Sequence, residues 1–394
     1  MPIHRERRRR AKCWTGLHGA LLLESGDLFY GCGFGAEGLR VGDVVFTTAM
    51  VGYHEALTDP SYRGQILVFT HPLIGNYGVP SYRDLDPETG LPRYFESESI
   101  KVEGTVIAYL TEPSHRLARK SLDEWLREEG VPGVFGVDTR AITKILRERG
   151  VMRGVIAVSR DEIDVEEMLR ALEKSTSYDS IDFVKDVAPQ SPVIHESPRG
   201  GGRWVAVIDC GVKLGIVRAL LRRGFSVVRV PPWMDPGRVM SSYGVAGFVV
   251  SNGPGNPSLL DYAIKTVQAV LEYRVPVLGI CLGNQLIALA CGCSVYKLRY
   301  GHRGHNKPCI DLETGICYMT SQNHGYAVSR ECLEEAGLRL WFINADDGSV
   351  EGLKHSRLPA IATQFHPEAC PGPLDTEWVF DVFAKMVSRY GDSS

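Results

Sequence analysis

No apolar run in the 394-residue sequence reaches the roughly 18 to 20 residues that spanning a bilayer requires, so no transmembrane helix is expected. A charge surplus of either sign is lacking too: the formal net charge is −3, which gives no argument for binding nucleic acid or an acidic membrane surface. The ten cysteines include no C-x-x-C pair, and the one close pair is Cys291-Gly292-Cys293. They read as mostly reduced thiols of a cytoplasmic protein, rather than as a disulfide framework or a zinc site. A secretory leader is not expected either. The basic cluster Arg5, Arg7, Arg8, Arg9 and Arg10 is followed by Lys12, Trp14 and His18, which interrupt the apolar stretch such a leader needs. Residues 1–18 are expected to be a disordered basic extension.

What is present has globular proportions, with 44% hydrophobic and 23% charged residues, and the length calls for two or three domains. From Gly19 the pattern is β-rich. Ala20-Leu21-Leu22-Leu23 and Leu28-Phe29-Tyr30 flank a Ser-Gly-Asp turn, and strands are expected again at Val44–Thr48, Gln65–Thr70 and Thr105–Leu110. Between two of them, Gly52–Tyr62 carries His54, Glu55 and Asp59 without metal-ligand spacing, and is expected as a turn and helix that builds a surface. Ser121–Gly130 reads as a helix with a capping box and a glycine stop, and Asp138–Gly150 repeats that logic. Residues 186–203 are rich in Pro, Gly and Ser and are expected to be a linker, so the domains are drawn as 19–185 and 204–392.

After the linker the chain alternates strand and helix: Trp204–Asp209, Ile216–Arg223, Ser226–Val230, Ala246–Ser251, then a helix from about Ser258 to Glu272. Such spacing predicts an α/β fold, a doubly wound and mostly parallel sheet preceded by a β-rich α+β domain. In open sheets of this kind the chemistry collects at the carboxyl ends of the strands.

One such end carries Gly279-Ile280-Cys281-Leu282-Gly283, a cysteine with glycine two residues away on either side, between an aliphatic strand and an aliphatic helix. A strand that reverses at once into a helix strains the central residue and leaves no room for neighbouring Cβ atoms. The thiol is thereby raised at a helix N-terminus, where free N–H groups favour a thiolate and can hold an oxyanion. A cysteine nucleophile needs an imidazole base, and the base needs a third group to orient it. His366-Pro367-Glu368 follows the apolar run Ala360-Ile361-Ala362 and supplies both. His324, in Gln322-Asn323-His324-Gly325-Tyr326, competes for the role of base and ranks below His366 for want of a neighbouring carboxylate. Cys210 and Cys309 lack the flanking glycines and read as structural. The loop Asn252-Gly253-Pro254-Gly255 lacks the lysine and spacing of a phosphate loop, and is expected to bring backbone close to a substrate, with the Gly253 and Leu282 N–H groups facing an oxyanion.

These motifs resemble class I (triad-type) glutamine amidotransferase domains, matched at Gly279–Gly283 and at His366–Glu368. The N-terminal half narrows the resemblance. Val45–Glu55, Leu57–Tyr62 and Val137-Asp138-Thr139-Arg140 are similar to the small subunit of carbamoyl phosphate synthetase, as are Ser251–Gly255, Gln322–Gly325 and Phe365–Ala369 with Pro371-Gly372-Pro373. The similarity spans about residues 20 to 390. It implies Cys281 as nucleophile, His366 as base and Glu368 as its orienter. It further implies Gly253, Gly255, Leu282, Gln285, Asn323, Gly325 and Tyr326 as glutamine contacts, and no metal. No cofactor is implied in this chain; ATP and magnesium belong to a large partner subunit that receives ammonia and makes carbamoyl phosphate for arginine and pyrimidine synthesis. The sequence departs from the family at Ala49, where a serine that helps to hold glutamine usually stands, at Tyr326 in place of phenylalanine, and at Asn284 in place of histidine. Two other readings are a docking subunit without catalysis and the amidotransferase component of another synthase, such as that of anthranilate synthesis. The latter leaves the first 190 or so residues unexplained.

Overall fold

The computed structural model describes residues 13–391, and their contacts divide the chain into two units. The first runs to Asp84 and resumes over Ser97–Ile181; the second takes Leu85–Glu96 and everything from Asp182 on. The expected basic extension falls mostly outside the described residues, but its last part is built into the first unit. Cys13 is disulfide-bonded to Cys32, Thr15 Oγ1 donates to the Gly33 carbonyl at 2.7 Å, and the first strand starts at His18.

The first unit contains strands β1 (His18–Leu23), β2 (Leu28–Gly35), β3 (Gly38–Thr47), β4 (Gln65–Phe69), β5 (Leu73–Ile74), β6 (Gly104–Ile107), β7 (Tyr109–Leu110), β8 (Pro132–Phe135) and β9 (Met152–Ser159). Its helices are α1 (Tyr53–Thr58), α2 (Leu122–Glu128), α3 (Thr139–Arg149) and α4 (Val165–Lys174). Seven strands close into a barrel in the order β1-β2-β8-β6-β4-β3-β9, which leaves no open edge. The expected hairpin is β1–β2, with Leu22 opposite Leu28. Ser121 and Glu124 form the reciprocal capping box at the start of α2, and Asp138 caps α3. The region 52–62 departs from expectation. Its helix α1 is buried rather than surface-forming, with Tyr53 stacked on Tyr77 at 4.2 Å and donating its hydroxyl to the Gly78 carbonyl. The aromatic residues there, which look like surface on a linear reading, are paired inside.

The second unit contains α5 (Val184–Val187), β10 (Val193–His195), β11 (Trp204–Ile208), α6 (Leu214–Arg222), β12 (Ser226–Val230), α7 (Pro236–Tyr243), β13 (Val245–Val250), α8 (Asp261–Glu272), β14 (Val277–Ile280) and α9 (Leu282–Ala290). It continues with β15 (Val295–Asp311), β16 (Cys317–Val328), β17 (Leu338–Asn344), β18 (Val350–His355), β19 (Ala360–Thr363) and α10 (Trp378–Gly391). Ten strands lie in the order β10-β12-β11-β13-β14-β19-β18-β17-β15-β16, parallel from β12 through β19 and antiparallel at both flanks. Successive residues of β11 serve opposite faces: Val205 and Val207 join Ile216, Leu220 and Phe383 on one side, while Ala206 and Ile208 join Val267, Leu286 and Ile287 on the other. A parallel strand is covered on both faces, so it is nearly apolar throughout, and Arg229 of β12 is buried only with its charge met by Asp209 at 2.8 Å. Each such apolar side chain contributes about 1.5–3 kcal/mol by leaving water.

Two sequence expectations change here. The stretch 186–203 is not a free linker, because β10 within it pairs with β12, from Val193 opposite Arg229 to His195 opposite Val227. The cysteines are not all reduced: Cys13–Cys32 and Cys293–Cys332 are disulfides, with Cα atoms 5.4 and 5.1 Å apart. Their sequence separations of 19 and 39 place each pair across neighbouring segments of the fold, which spacing motifs do not reveal. Cysteine usage therefore gives no argument for a reducing compartment. No helix among the described residues is long and apolar enough to cross a membrane.

Candidate active site

Strands β14 and β19 lie side by side and parallel, with Ile280 opposite Thr363, so the segments leaving the two strands meet at one sheet end. After β14 comes Cys281, with φ 56° and ψ −104°, a backbone region that side-chain-bearing residues rarely adopt. Its N–H donates to the Thr363 carbonyl at 2.8 Å, which ties the elbow to β19. The glycines are required by space: a Cβ on Gly283 would lie 2.0 Å from the Val250 carbonyl oxygen, and one on Gly279 would lie 2.8 Å from the Gly283 backbone. A Cβ on Gly253 would lie 2.2 Å from the Cys210 carbonyl oxygen, the close backbone approach the loop was expected to make.

After β19 the chain turns through Phe365, whose carbonyl accepts from Thr363 Oγ1 at 3.1 Å, to His366, whose N–H donates to the Ser321 carbonyl at 2.9 Å. His366 and Glu368 are both buried, and His366 Nδ1 donates to Glu368 Oε1 at 2.6 Å. That bond fixes the ring and leaves Nε2 buried with no hydrogen-bond partner. Burial works against a charged imidazole, but the Glu368 carboxylate outweighs it; Lys213 opposes and the nearby Cys281 sulfur adds support, so His366 is raised to about 10. Burial likewise resists a charged Glu368, yet Lys213 and His366 hold it down at about 2. The Cys281 sulfur also lies 3.6 Å from the Asn323 carbonyl oxygen.

The remaining expected residues fall on the helix after Cys281, on β16 and on the loop after β13. Leu282 is the first residue of α9 and is buried. Gln285 is buried and spends its amide on the Tyr326 carbonyl at 2.8 Å and on Gln364 Oε1 at 3.1 Å, so it braces β16 from inside. Asn284 reaches the same Gln364 oxygen at 3.1 Å. Gly255 has φ 92°, and Asn323, Gly325 and Tyr326 follow one another along β16. His324 does not face Glu368; its Nδ1 donates to the Tyr326 carbonyl at 2.8 Å, and burial with the neighbouring His302 holds its pKa well below the ordinary range. Ala49 is buried in the first unit, just beyond β3.

Sequence reading missed the residues that hold the His366–Glu368 pair from behind. Lys213 is buried, 3.1 Å from Glu368 Oε1, and donates to the Ala369 carbonyl at 2.8 Å. Its own N–H donates to Asn252 Oδ1 at 3.0 Å, which fixes the Gly253 loop to the start of α6. Glu96 accepts from Gly215 N at 2.9 Å and from Arg218 at 2.5 Å, and Arg218 reaches Cys370 Sγ at 3.4 Å, two residues past Glu368. A lysine amid the apolar run from Val205 to Leu221 was the one local sign. Glu96 carried none, because it arrives from 122 residues upstream of Arg218.

Comparison with known proteins gives the family. Residues 21–156 match the family model described as carbamoyl-phosphate synthase small chain, CPSase domain, and residues 206–386 match glutamine amidotransferase class-I. The carbamoyl phosphate synthase small chain of Pyrococcus furiosus is 54% identical over 374 residues, covering 94% of this chain and 99% of that one. That of Sulfurisphaera tokodaii is 52% identical, covering 96% and 98%. A carbamoyl phosphate synthase arginine-specific small chain from Chaetomium globosum is 45% identical, covering 100% of this chain and 83% of its own. With both family models matched in order and relatives of this identity aligned nearly end to end, the chain belongs to the carbamoyl phosphate synthase small chains and carries a class I glutamine amidotransferase domain.

Proposed function

We propose that this chain is the glutaminase of a carbamoyl phosphate synthetase, hydrolysing L-glutamine to glutamate and ammonia. The observation that carries the reading is Cys281 on its strained elbow beside a buried His366 whose Nδ1 is pinned by Glu368 and whose Nε2 is left unbonded. The Cys281 thiolate attacks the side-chain amide carbon of glutamine, and the C=O electrons move onto oxygen. Leu282 N–H, at the open N-terminus of α9, and Gly253 N–H hold that oxyanion; removing one such donor costs about 10²- to 10³-fold in rate. As the C–N bond breaks, His366 Nε2 gives its proton to the departing nitrogen, which leaves as ammonia. The neutral imidazole then takes a proton from water, whose oxygen attacks the γ-glutamyl thioester. Glutamate leaves, and the thiolate and imidazolium are restored.

The substrate is held, on this reading, by Gly253, Gly255, Leu282, Asn323, Gly325 and Tyr326, with Gln285 acting through the Tyr326 backbone. The first unit docks a large partner subunit, on which ATP and magnesium are used to make carbamoyl phosphate from bicarbonate and the released ammonia. The setting is cytoplasmic, and the product feeds arginine and pyrimidine synthesis; the name of the Chaetomium relative supports the arginine branch.

Hydroxylamine trapping tests the covalent step. With glutamine and hydroxylamine the wild-type chain should release γ-glutamyl hydroxamate, and Cys281→Ser should release none. Hydroxamate formed by Cys281→Ser at the wild-type rate would overturn the mechanism.

A further inference from the structure

Away from Cys281, three strands bring a second set of titratable groups together. His302 on β15, His324 on β16 and Glu351 on β18 are all buried, and one ligand atom from each lies within 4.8 Å of the others. Glu351 Oε1 is 3.4 Å from His302 Nδ1 and 3.9 Å from His324 Nε2. The two rings stand at 90°, with centroids 4.9 Å apart.

Hydrogen bonding decides which atoms face inward. His324 Nδ1 lies 2.8 Å from the Tyr326 carbonyl, which only accepts, so Nδ1 carries the proton and Nε2 presents a lone pair. That lone pair faces Gln322 Oε1 at 3.3 Å and the Glu351 carboxylate. The Gln322 amide is oriented by its donor nitrogen, which gives to Cys309 Sγ at 3.2 Å and Thr320 Oγ1 at 3.1 Å. Acceptor therefore faces acceptor, and Glu351 Oε2 is buried with no hydrogen-bond partner. On the other side His302 Nε2 meets Asp347 Oδ2 at 2.9 Å and donates to it, turning Nδ1 toward Glu351 and toward Asn344 Nδ2, 3.5 Å away. Each imidazole is thus held by its outer N–H to a carboxylate or a carbonyl while its inner nitrogen points at a shared carboxylate, which is how metal-ligating histidines are oriented.

We propose that His302 Nδ1, His324 Nε2 and Glu351 form a binding site for a divalent transition metal of the zinc class, with Gln322 Oε1 beside the open position. Zinc bonds of about 2.0–2.2 Å set tetrahedral ligand spacings near 3.3 Å. The 3.4 Å contact already meets that spacing, the 3.9 Å contact needs a closure of about half an ångström, and the two inner imidazole nitrogens, within 4.8 Å of each other, close by up to about 1.5 Å through side-chain rotation when the metal binds. Arg303 and His366, whose charges also bear on His324, are the nearby opposing cations, set against the Glu351 and Asp347 carboxylates. The metal fastens β15, β16 and β18 to one another, and β16 is the strand whose Asn323 carbonyl touches Cys281. The binding claim stands apart from the glutaminase reading.

The test uses the full-length chain, stripped with a chelator and titrated with Zn²⁺ against a chromophoric competitor, then with Co²⁺ for its visible spectrum. One equivalent should bind, with cobalt d–d bands and no thiolate charge-transfer band. Glu351→Gln should abolish that equivalent. Asp347→Asn, at a side chain 43% exposed and with an amide oxygen still able to accept from Ser349, should weaken it by about 10- to 100-fold. No bound zinc at micromolar concentration, affinity unchanged in both variants, or a cobalt spectrum dominated by thiolate ligation to free cysteines would overturn the site.

Discussion

Replacing Gly283 with alanine is the sharpest perturbation the elbow offers, because it changes one methyl and touches no reacting atom. Its Cβ would stand 2.0 Å from the Val250 carbonyl oxygen, 2.7 Å from the Val250 carbonyl carbon and 3.1 Å from the Val250 Cβ. Ordinary contact begins at 3.4 Å, so the shortfall against the oxygen is about 1.4 Å (3.4 − 2.0), and backbone rather than a flexible side chain stands in the way. β13 is inside the sheet, between β11 and β14, and is the less able to yield. The movement therefore falls on the first turn of α9, which carries the Leu282 N–H and positions Cys281. A misplacement of about 1 Å costs roughly 10²-fold in an oriented reaction, and losing an oxyanion donor costs about 10²- to 10³-fold. Gly283→Ala should lower kcat for glutamine hydrolysis by about 10²-fold or more. Co-purification of the variant with the large partner subunit should persist and so report that the chain still folds and docks. Wild-type glutaminase kcat in that variant would refute the packing argument.

Glu96→Gln leaves the Arg218 guanidinium buried without its carboxylate, so denaturant unfolding should show a loss of about 3–5 kcal/mol; the exposed Lys120–Glu128 pair, broken by Glu128→Gln, should cost no more than about 1 kcal/mol. The His366–Glu368 pair sets a pH window. His366 is raised from 6.5 to about 10, so its contribution is whole below 6.5 and is lost as pH rises through about 10. Glu368 is lowered from 4.5 to about 2, so its contribution is whole above 4.5 and is lost as pH falls through about 2. The gap in unfolding midpoint between wild type and Glu368→Gln should be widest between about 4.5 and 6.5 and should narrow on both sides, as thermal unfolding across pH would record. A gap that stays constant up to pH 10 would contradict the coupling.

The parallel core of the second unit was legible because its strands are buried on both faces and read as short apolar runs, interrupted in β12 by Arg229, with helices of regular period between. The elbow was legible for a steric reason, since Gly279 and Gly283 mark the two places where a Cβ meets backbone. The antiparallel flank from β15 to β18 was not, because buried polar residues such as His302 and Glu351 find partners on other strands and turns, which a linear reading does not bring together. Nor were Lys213, Arg218 and Glu96, buried charges whose partners lie far away in sequence. The disulfides were hidden for the same reason, and β10 was masked by the Pro- and Gly-rich composition around it.

The most direct measurement takes the complex of this chain with its large partner subunit and compares carbamoyl phosphate synthesis from glutamine and from ammonia, for wild type and for Cys281→Ser. The serine variant should lose the glutamine-dependent reaction and keep the ammonia-dependent one. Glutamine-dependent synthesis that survives the substitution at the wild-type rate would contradict the assignment of Cys281 as the nucleophile.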